Sequence, residues 1–262
     1  MLPQLRVPQY KLTLPSTGKE LTYRPFTVKE EKILLMALDE DDSSQIRALR
    51  QVIENCLFGA VNATKLPTFD IDYIWLKIRS KSIEEIVTIP FECRNKLPEG
   101  EKHKDPDGQE IDYCGNIVNV PVNLDLIETV KNPSNNPKIE LQDGIGIVLK
   151  YPTFELFQKL GQLNEKDIDN SLEIILDCVE MIYDSTGAVY ERENISRDEL
   201  ITFLESLSQV QFAKVLEFFE TLPAVRHKVH FKCPKCKHEV DVVVEGTKSF
   251  LASDSATNHL GI

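Results

Sequence analysis

Hydrophobic positions change their period along the chain, and each period marks a type of element. Near the start, Leu12 and Leu14 alternate with Thr13, and the turn-forming Pro15-Ser16-Thr17-Gly18 leads into Leu21-Thr22-Tyr23. Alternation about such a turn predicts an extended arm closing in a hairpin. From Thr27 the period becomes helical. Thr27-Val28-Lys29-Glu30 has capping-box spacing, in which hydroxyl and carboxylate each satisfy a free amide at a helix start, and a helix to about Asp39 follows. Ser43 or Ser44 then caps a second helix to about Phe58, with Ile46, Leu49, Val52, Ile53 and Leu57 on one face. A third is predicted after Pro67, where Asp70 precedes Ile71, Ile74, Trp75 and Ile78.

After Ser82 the period shifts toward two. Ile86-Val87-Thr88-Ile89 runs into Phe91-Glu92-Cys93, the polar stretch Arg94 to Asp112 predicts an exposed loop, and Ile117, Val118, Val120, Val122 and Leu124 predict a returning strand. Ile139, Leu141, Ile145, Ile147 and Leu149 alternate around Asp143-Gly144 as another hairpin. The stretch from Thr153 to Leu222 predicts mostly helix. One helix starts at Asn164 or Asp167, carries Leu172, Ile175, Leu176, Val179 and Ile182, and ends at Asp184-Ser185-Thr186-Gly187. A second follows the capping box Ser196-Arg197-Asp198-Glu199, and a third starts at Ser208. Val225 to Cys233 and Val240 to Val244 predict a last hairpin. The chain thus divides into an extended arm (1–26), a helical region (27–82), a β region (83–151), a helical region (152–223), a β hairpin (224–246) and a polar tail (247–262). The expected class is α+β, with helical N- and C-terminal parts around β hairpins.

Composition narrows the function classes. The 262 residues are 42% hydrophobic and 27% charged, as in a soluble globular protein able to bury a core without disulfide staples. Lys and Arg number 30 against 42 Asp and Glu, a net charge of −12, which opposes attachment to phosphate backbones or anionic lipid. No apolar run approaches the roughly 18 residues of a membrane span. The N-terminus lacks a secretory h-region, so the expected compartment is a cytoplasm. Six cysteines are there better read as buried thiols or metal ligands than as disulfides.

Cys233-Pro234-Lys235-Cys236 carries the sharpest chemistry, because a CxxC turn between strands points two thiolates at one centre. Cys93 and Cys114 are the candidate second pair. Phe91-Glu92-Cys93 echoes Phe231-Lys232-Cys233, and Tyr113-Cys114-Gly115-Asn116-Ile117-Val118 echoes Lys235-Cys236-Lys237-His238-Glu239-Val240. Each half reads strand, Cys, turn, Cys, strand, as if the charged loop had been inserted into the first. The expectation is a zinc-ribbon-like site of Cys93, Cys114, Cys233 and Cys236 holding one structural Zn2+ per chain and stapling residues 86–124 to 225–245. Four thiolates leave no open position for catalysis. The alternatives are metal-free thiols, or a histidine from His227, His230 and His238 in place of one cysteine. His227 and His230, three apart on an extended segment, face opposite sides. Cys56 and Cys178 fall on apolar helix faces and read as core.

Elsewhere no GxSxG, Walker-type GxxxxGKS, HExxH or GxGxxG after a strand occurs, and neither an enzyme nor a small-molecule substrate is expected. Asp39-Glu40-Asp41-Asp42 reads as a solvated helix junction. Lys228, Lys232, Lys235 and Lys237 surround the CxxC, but Glu239, Asp241 and Glu245 follow at once, which weakens the alternative of a zinc-ribbon adaptor binding nucleic acid.

Pro8-Gln9-Tyr10, Leu14-Pro15-Ser16-Thr17-Gly18-Lys19 and the run from Tyr23-Arg24-Pro25-Phe26-Thr27 to Leu35-Met36-Ala37 together resemble the opening signature of the T4-type bacteriophage baseplate hub subunit family. The resemblance implies a structural or assembly protein of the central baseplate hub, made in the host cytoplasm, carried in the tail if retained, and contacting other hub and tail proteins. It brings no catalytic residues and no metal assignment. For such work the arm is the expected reaching element, with Tyr10, Leu12, Leu14, Arg24 and Phe26 as candidate partner contacts, and Leu260 of the tail beside them. Removal of residues 1–20 is then expected to leave a folded chain that fails to join its partners.

Overall fold

The computed structural model describes residues 5–38, 40–98, 100–104, 108–156 and 168–246. The arm's alternation closes a hairpin, β1 (Tyr10–Thr13) on β2 (Glu20–Tyr23), with Leu12 opposite Leu21 and Tyr10 opposite Tyr23. Two helices follow, α1 (Val28–Leu38) and α2 (Asp42–Cys56). At α1, Glu30 accepts from the amide and hydroxyl of Thr27 at 2.9 and 2.6 Å, the carboxylate half of the expected capping box. The cap of α2 is Asp41 rather than a serine, its carboxylate accepting from the Ser44 amide at 3.1 Å, where its charge also suits the positive helix end. In α3 (Thr68–Ser82) apolar residues lie on every side and residues 74–80 are buried throughout, the mark of an enclosed helix. Its Ile71, Ile74, Trp75 and Ile78 meet the hairpin, α1 and α2 in a first core.

The hairpin belongs to that core, which corrects two expectations. Leu12, Leu14 and Phe26 are 5%, 2% and 9% exposed, and the Phe26 ring stacks 6.0 Å from Trp75. Arg24 is engaged by Glu30 at 2.8 Å, and Tyr10 is half-buried with its ring 5.6 Å from that of Tyr23. Leu12, Leu14 and Phe26 complete the chain's own interior, because alternating leucines lower their free energy most by covering the nearest apolar helices, while Tyr10 and Arg24 are partly exposed. Ser16 pins the turn through its amide and hydroxyl to the buried carboxylate of Asp70 on α3, the amide at 3.0 Å. Residues 1–20 supply Leu12 and Leu14 to this core, so their removal is expected to weaken the fold as well as any partner contact.

The middle of the chain builds two hairpins. β3 (Ile86–Glu92) is followed by the short pair β4 (His103–Lys104) and β5 (Glu110–Ile111), which gives structure to the expected loop. β6 (Ile117–Asn123) returns along β3, and a 3-10 turn at Leu124–Leu126 leads to β7 (Glu128–Val130). β8 (Lys138–Gln142) and β9 (Ile145–Leu149) turn at Asp143-Gly144, whose positive φ of 51° and 78° is the two-residue turn that Asp-Gly favours.

One predicted helix is corrected. α4 (Ile168–Cys178) stops at Cys178, and β10 (Val179–Tyr183) and β11 (Val189–Glu191) follow, extending the second hairpin to a four-stranded sheet in the order β11-β10-β9-β8. The helix start expected at Asn164 or Asp167 lies outside the described residues, as does the tail. Gly146 pairs with Tyr183, and a Cβ there would stand 2.1 Å from the Tyr183 hydroxyl and 2.6 Å from the Ile139 backbone oxygen on β8, so glycine lets these strands pack. α5 (Arg197–Glu205) and α6 (Gln209–Glu220) start at complete capping boxes on Ser196 and Ser208 and, with α4, cover this sheet in a second core around Ile147, Leu176, Leu200 and Val215.

β12 (Ala224–Lys232) and β13 (Glu239–Glu245) close the described chain, with β7 on the other side of β12. Their inner residues Val225, Val229 and Phe231 join Val87, Ile89 and Val122 of the β3–β6 hairpin and Leu76 of α3 in a third core. α3 thus touches both this core and the first. Ser80 bonds Asp125 in the 3-10 turn at 2.7 Å, and Lys81 pairs with the same carboxylate.

Candidate metal centre

At the ends of β3–β6 and β12–β13, two turns repeat one local geometry. The last strand pair is Glu92 with Ile117 in one and Lys232 with Glu239 in the other. The next residue is a cysteine in each case. The Cys93 amide donates to the Asn116 carbonyl at 2.9 Å, as the Cys233 amide donates to that of His238 at 2.8 Å. Gly115 donates back to the Cys93 carbonyl at 3.0 Å, as Lys237 does to that of Cys233 at 2.9 Å. Both of these residues follow the second cysteine and have positive φ, 65° and 62°. Glycine adopts that conformation freely, whereas lysine does so at a cost of about 1 kcal/mol. The echo between the two halves of the sequence is therefore an equivalence of backbone. Phe91 and Phe231, one step further back on each hairpin, stack with centroids 5.4 Å apart.

Facing each other, the two turns bring Cys93, Cys114, Cys233 and Cys236 together, with all four sulfurs within 4.8 Å of one another. Across the turns, Cys93 Sγ lies 3.6 Å from Cys236 Sγ and Cys114 Sγ 3.9 Å from Cys233 Sγ. These separations are far too long for a disulfide. A tetrahedron with metal–sulfur bonds of about 2.3 Å has edges of about 3.8 Å, which the two distances bracket. Cys93, Cys114 and Cys233 are buried and Cys236 is half-buried.

The electrostatics suit a cation at the centre. Burial, opposed by the Asn95 amide and reinforced by the thiols of Cys236 and Cys233, pushes Cys93 up to about 12. Burial also raises Cys114, against the Asn116 amide. At Cys233 burial works the same way, but the amides of Cys236 and Lys235, with the neighbouring thiols, outweigh it and hold the group down to about 6. Four sulfurs this close cannot all ionise beside one another, and a divalent ion relieves that repulsion. The donor set, its spacing and the backbone amides aimed at sulfur fit zinc.

Two residues around the cluster, Ile111 and His103, carry no sequence signal, because chain folding alone brings them there, whereas Lys235 stands inside the CxxC itself. The β4–β5 hairpin folds back so that Ile111 covers Gly115, its Cδ1 2.5 Å from where a Cβ would stand. His103 Nδ1 lies 3.0 Å from the Cys114 carbonyl, and Lys235 Nζ lies 3.4 Å from that carbonyl and 3.2 Å from His103 Nδ1. The inserted segment thus bridges the two turns. The histidine alternative is not met among the described residues. His230 pairs with Asp241 at 2.9 Å on the outer face of the ribbon, His227 lies opposite Val244, and His238 serves through its backbone. Cys56 and Cys178 stand in the interior, burial pushing each thiol up to about 12.

The fold and the cluster define an α+β chain whose distant β hairpins meet at four convergent thiols. This chain belongs to the T4 bacteriophage base plate protein family, which matches it over residues 7–252. No curated protein and no solved structure matches it. No described helix is long and apolar enough to cross a membrane.

Proposed function

We propose that this base plate protein is a structural or assembly component of the central hub of a contractile phage tail. It acts through protein contacts without catalysis, and is made rigid by one structural zinc ion held by Cys93, Cys114, Cys233 and Cys236. The family match over nearly the whole chain carries the structural role, and the likeness of the opening segment to hub subunits supports the finer placement. For the metal, the support is the cross-turn sulfur spacing of 3.6 and 3.9 Å. On this reading the chain's residues position sulfur and exclude water, and zinc supplies the cross-link between segments more than 100 residues apart.

The nucleic-acid alternative gains little from the ribbon. Arg226 pairs with Glu245 at 2.9 Å and Lys232 with Glu239 at 3.0 Å across the strands, which leaves Lys228, Lys235 and Lys237 of the four lysines around the CxxC outside these pairs. Mass spectrometry of purified tails and of base plate intermediates tests the role. Presence in hub-containing particles or intermediates is expected, at fixed stoichiometry if the chain is retained. Absence from both overturns the placement.

A further inference from the structure

Of the six cysteines, Cys236 alone is partly exposed. It stands between the exposed Lys235 and Lys237, in the electropositive and open setting where a cysteine reacts. Its sulfur meets that of Cys93 at 3.6 Å, and the sulfurs of Cys114 and Cys233 meet at 3.9 Å. These two contacts use all four thiols of the cluster, and each crosses from one hairpin to the other. Both lie within about 2 Å of the length of a bonded pair. The Cys233 sulfur is engaged by the amides of Lys235 and Cys236, and by the Asn116 side chain of the other hairpin at 3.7 Å, which set it beside Cys114.

We infer that the cluster is a redox-convertible staple, which a peroxide turns into two bridges across the hairpins, Cys93 to Cys236 and Cys114 to Cys233. The Cys236 thiolate attacks one peroxide oxygen, the O–O bond breaks, and hydroxide leaves a sulfenic acid behind. The Cys93 thiolate then attacks the Cys236 sulfur, forming the S–S bond and breaking the S–O bond with loss of a second hydroxide. Two electrons pass from the sulfurs to the peroxide, and the hydroxides take protons from solvent. A second peroxide joins Cys114 to Cys233 by the same steps. A bridge inside the CxxC would staple nothing, whereas the inferred bridges span 143 and 119 positions of the chain, and long loops constrain the unfolded chain most. The occasion for the conversion rests on the proposed role, since a chain made in a reducing cytoplasm and carried out in a particle meets an oxidising medium after assembly. The pairing rests on the sulfur contacts alone, whether or not an ion is held.

Titration of the purified full chain with hydrogen peroxide tests the conversion, read by zinc release to a colorimetric chelator and by non-reducing peptide mass mapping. Zinc is expected to leave as about two equivalents of peroxide are consumed. The map should show Cys93 bonded to Cys236 and Cys114 to Cys233, with the interior Cys56 and Cys178 left as thiols. The bridged chain should melt within about 5 °C of the native one and no longer respond to chelator. Bridges inside the turns, Cys93 to Cys114 or Cys233 to Cys236, engagement of Cys56 or Cys178, or oxidation to sulfinic acids without any bridge overturns the inference. A chain that carries no zinc but bridges across the hairpins upholds it while refuting the zinc reading. A chain that releases zinc but bridges inside its turns does the reverse.

Discussion

Glu30 is 1% exposed and carries a charge nonetheless. Burial works against that charge, but hydrogen bonds from Arg24 and Thr27 outweigh it and hold the carboxyl down to about 2. A group whose folded pKa lies below its unfolded one stabilises the fold above the unfolded value. That stability is lost as pH falls from about 4.5 through about 2. Glu30→Gln strands the Arg24 guanidinium and should cost about 3 kcal/mol at neutral pH. Urea titrations across a pH series should also show a shallower loss of stability in acid for this variant. An acid limb identical to that of the native chain contradicts the pairing. Thr27 and Glu30 were legible because capping spacing is local, but Arg24 was read as an interface anchor, since only the folded hairpin aims it at Glu30. The meeting of the four cysteines was legible for a related reason, the repeat of residue types around them. Ile111 and His103 were not, because no local pattern records where an inserted hairpin lands.

Among elements, the N-terminal hairpin changes most from expectation. Its alternation was plain, but alternation says only that one side is apolar, not whether that side covers its own chain or another. Leu14 is 2% exposed within the first core, so Leu14→Ala should cost about 3 kcal/mol and lower the melting temperature by roughly 6 to 12 °C in calorimetry. An unchanged melting temperature would return the arm to a partner-facing role. β10 shows how a strand passes for a helix. A bulge between Val179 and Met181 interrupts the register with β9, so the buried residues Val179 and Ile182 stand three apart. That spacing continues the helical series Leu172, Ile175, Leu176 without a break, and the period alone cannot expose the change. The Asp143-Gly144 turn was legible because its residue types specify a backbone conformation directly. The same holds for the capping boxes of α5 and α6.

At the scale of the whole molecule, the cysteine cluster lies where two hairpins far apart in sequence converge, and both share a core with α3, which also packs in the first core. Loss of the proposed ion should therefore loosen more than the two turns. Chelation is expected to lower the melting temperature by roughly 10 °C or more, with zinc restoring it and magnesium failing to. A melt indifferent to chelator would show that apolar packing alone holds the hairpins together. The most direct test of the joint site is native mass spectrometry of the purified full chain. The predicted result is a mass greater by one zinc ion, with the increment lost in both Cys114→Ser and Cys236→Ser, one from each turn. A native chain at its bare polypeptide mass, or zinc retained undiminished when Cys114 is replaced, would contradict a centre shared by the two hairpins.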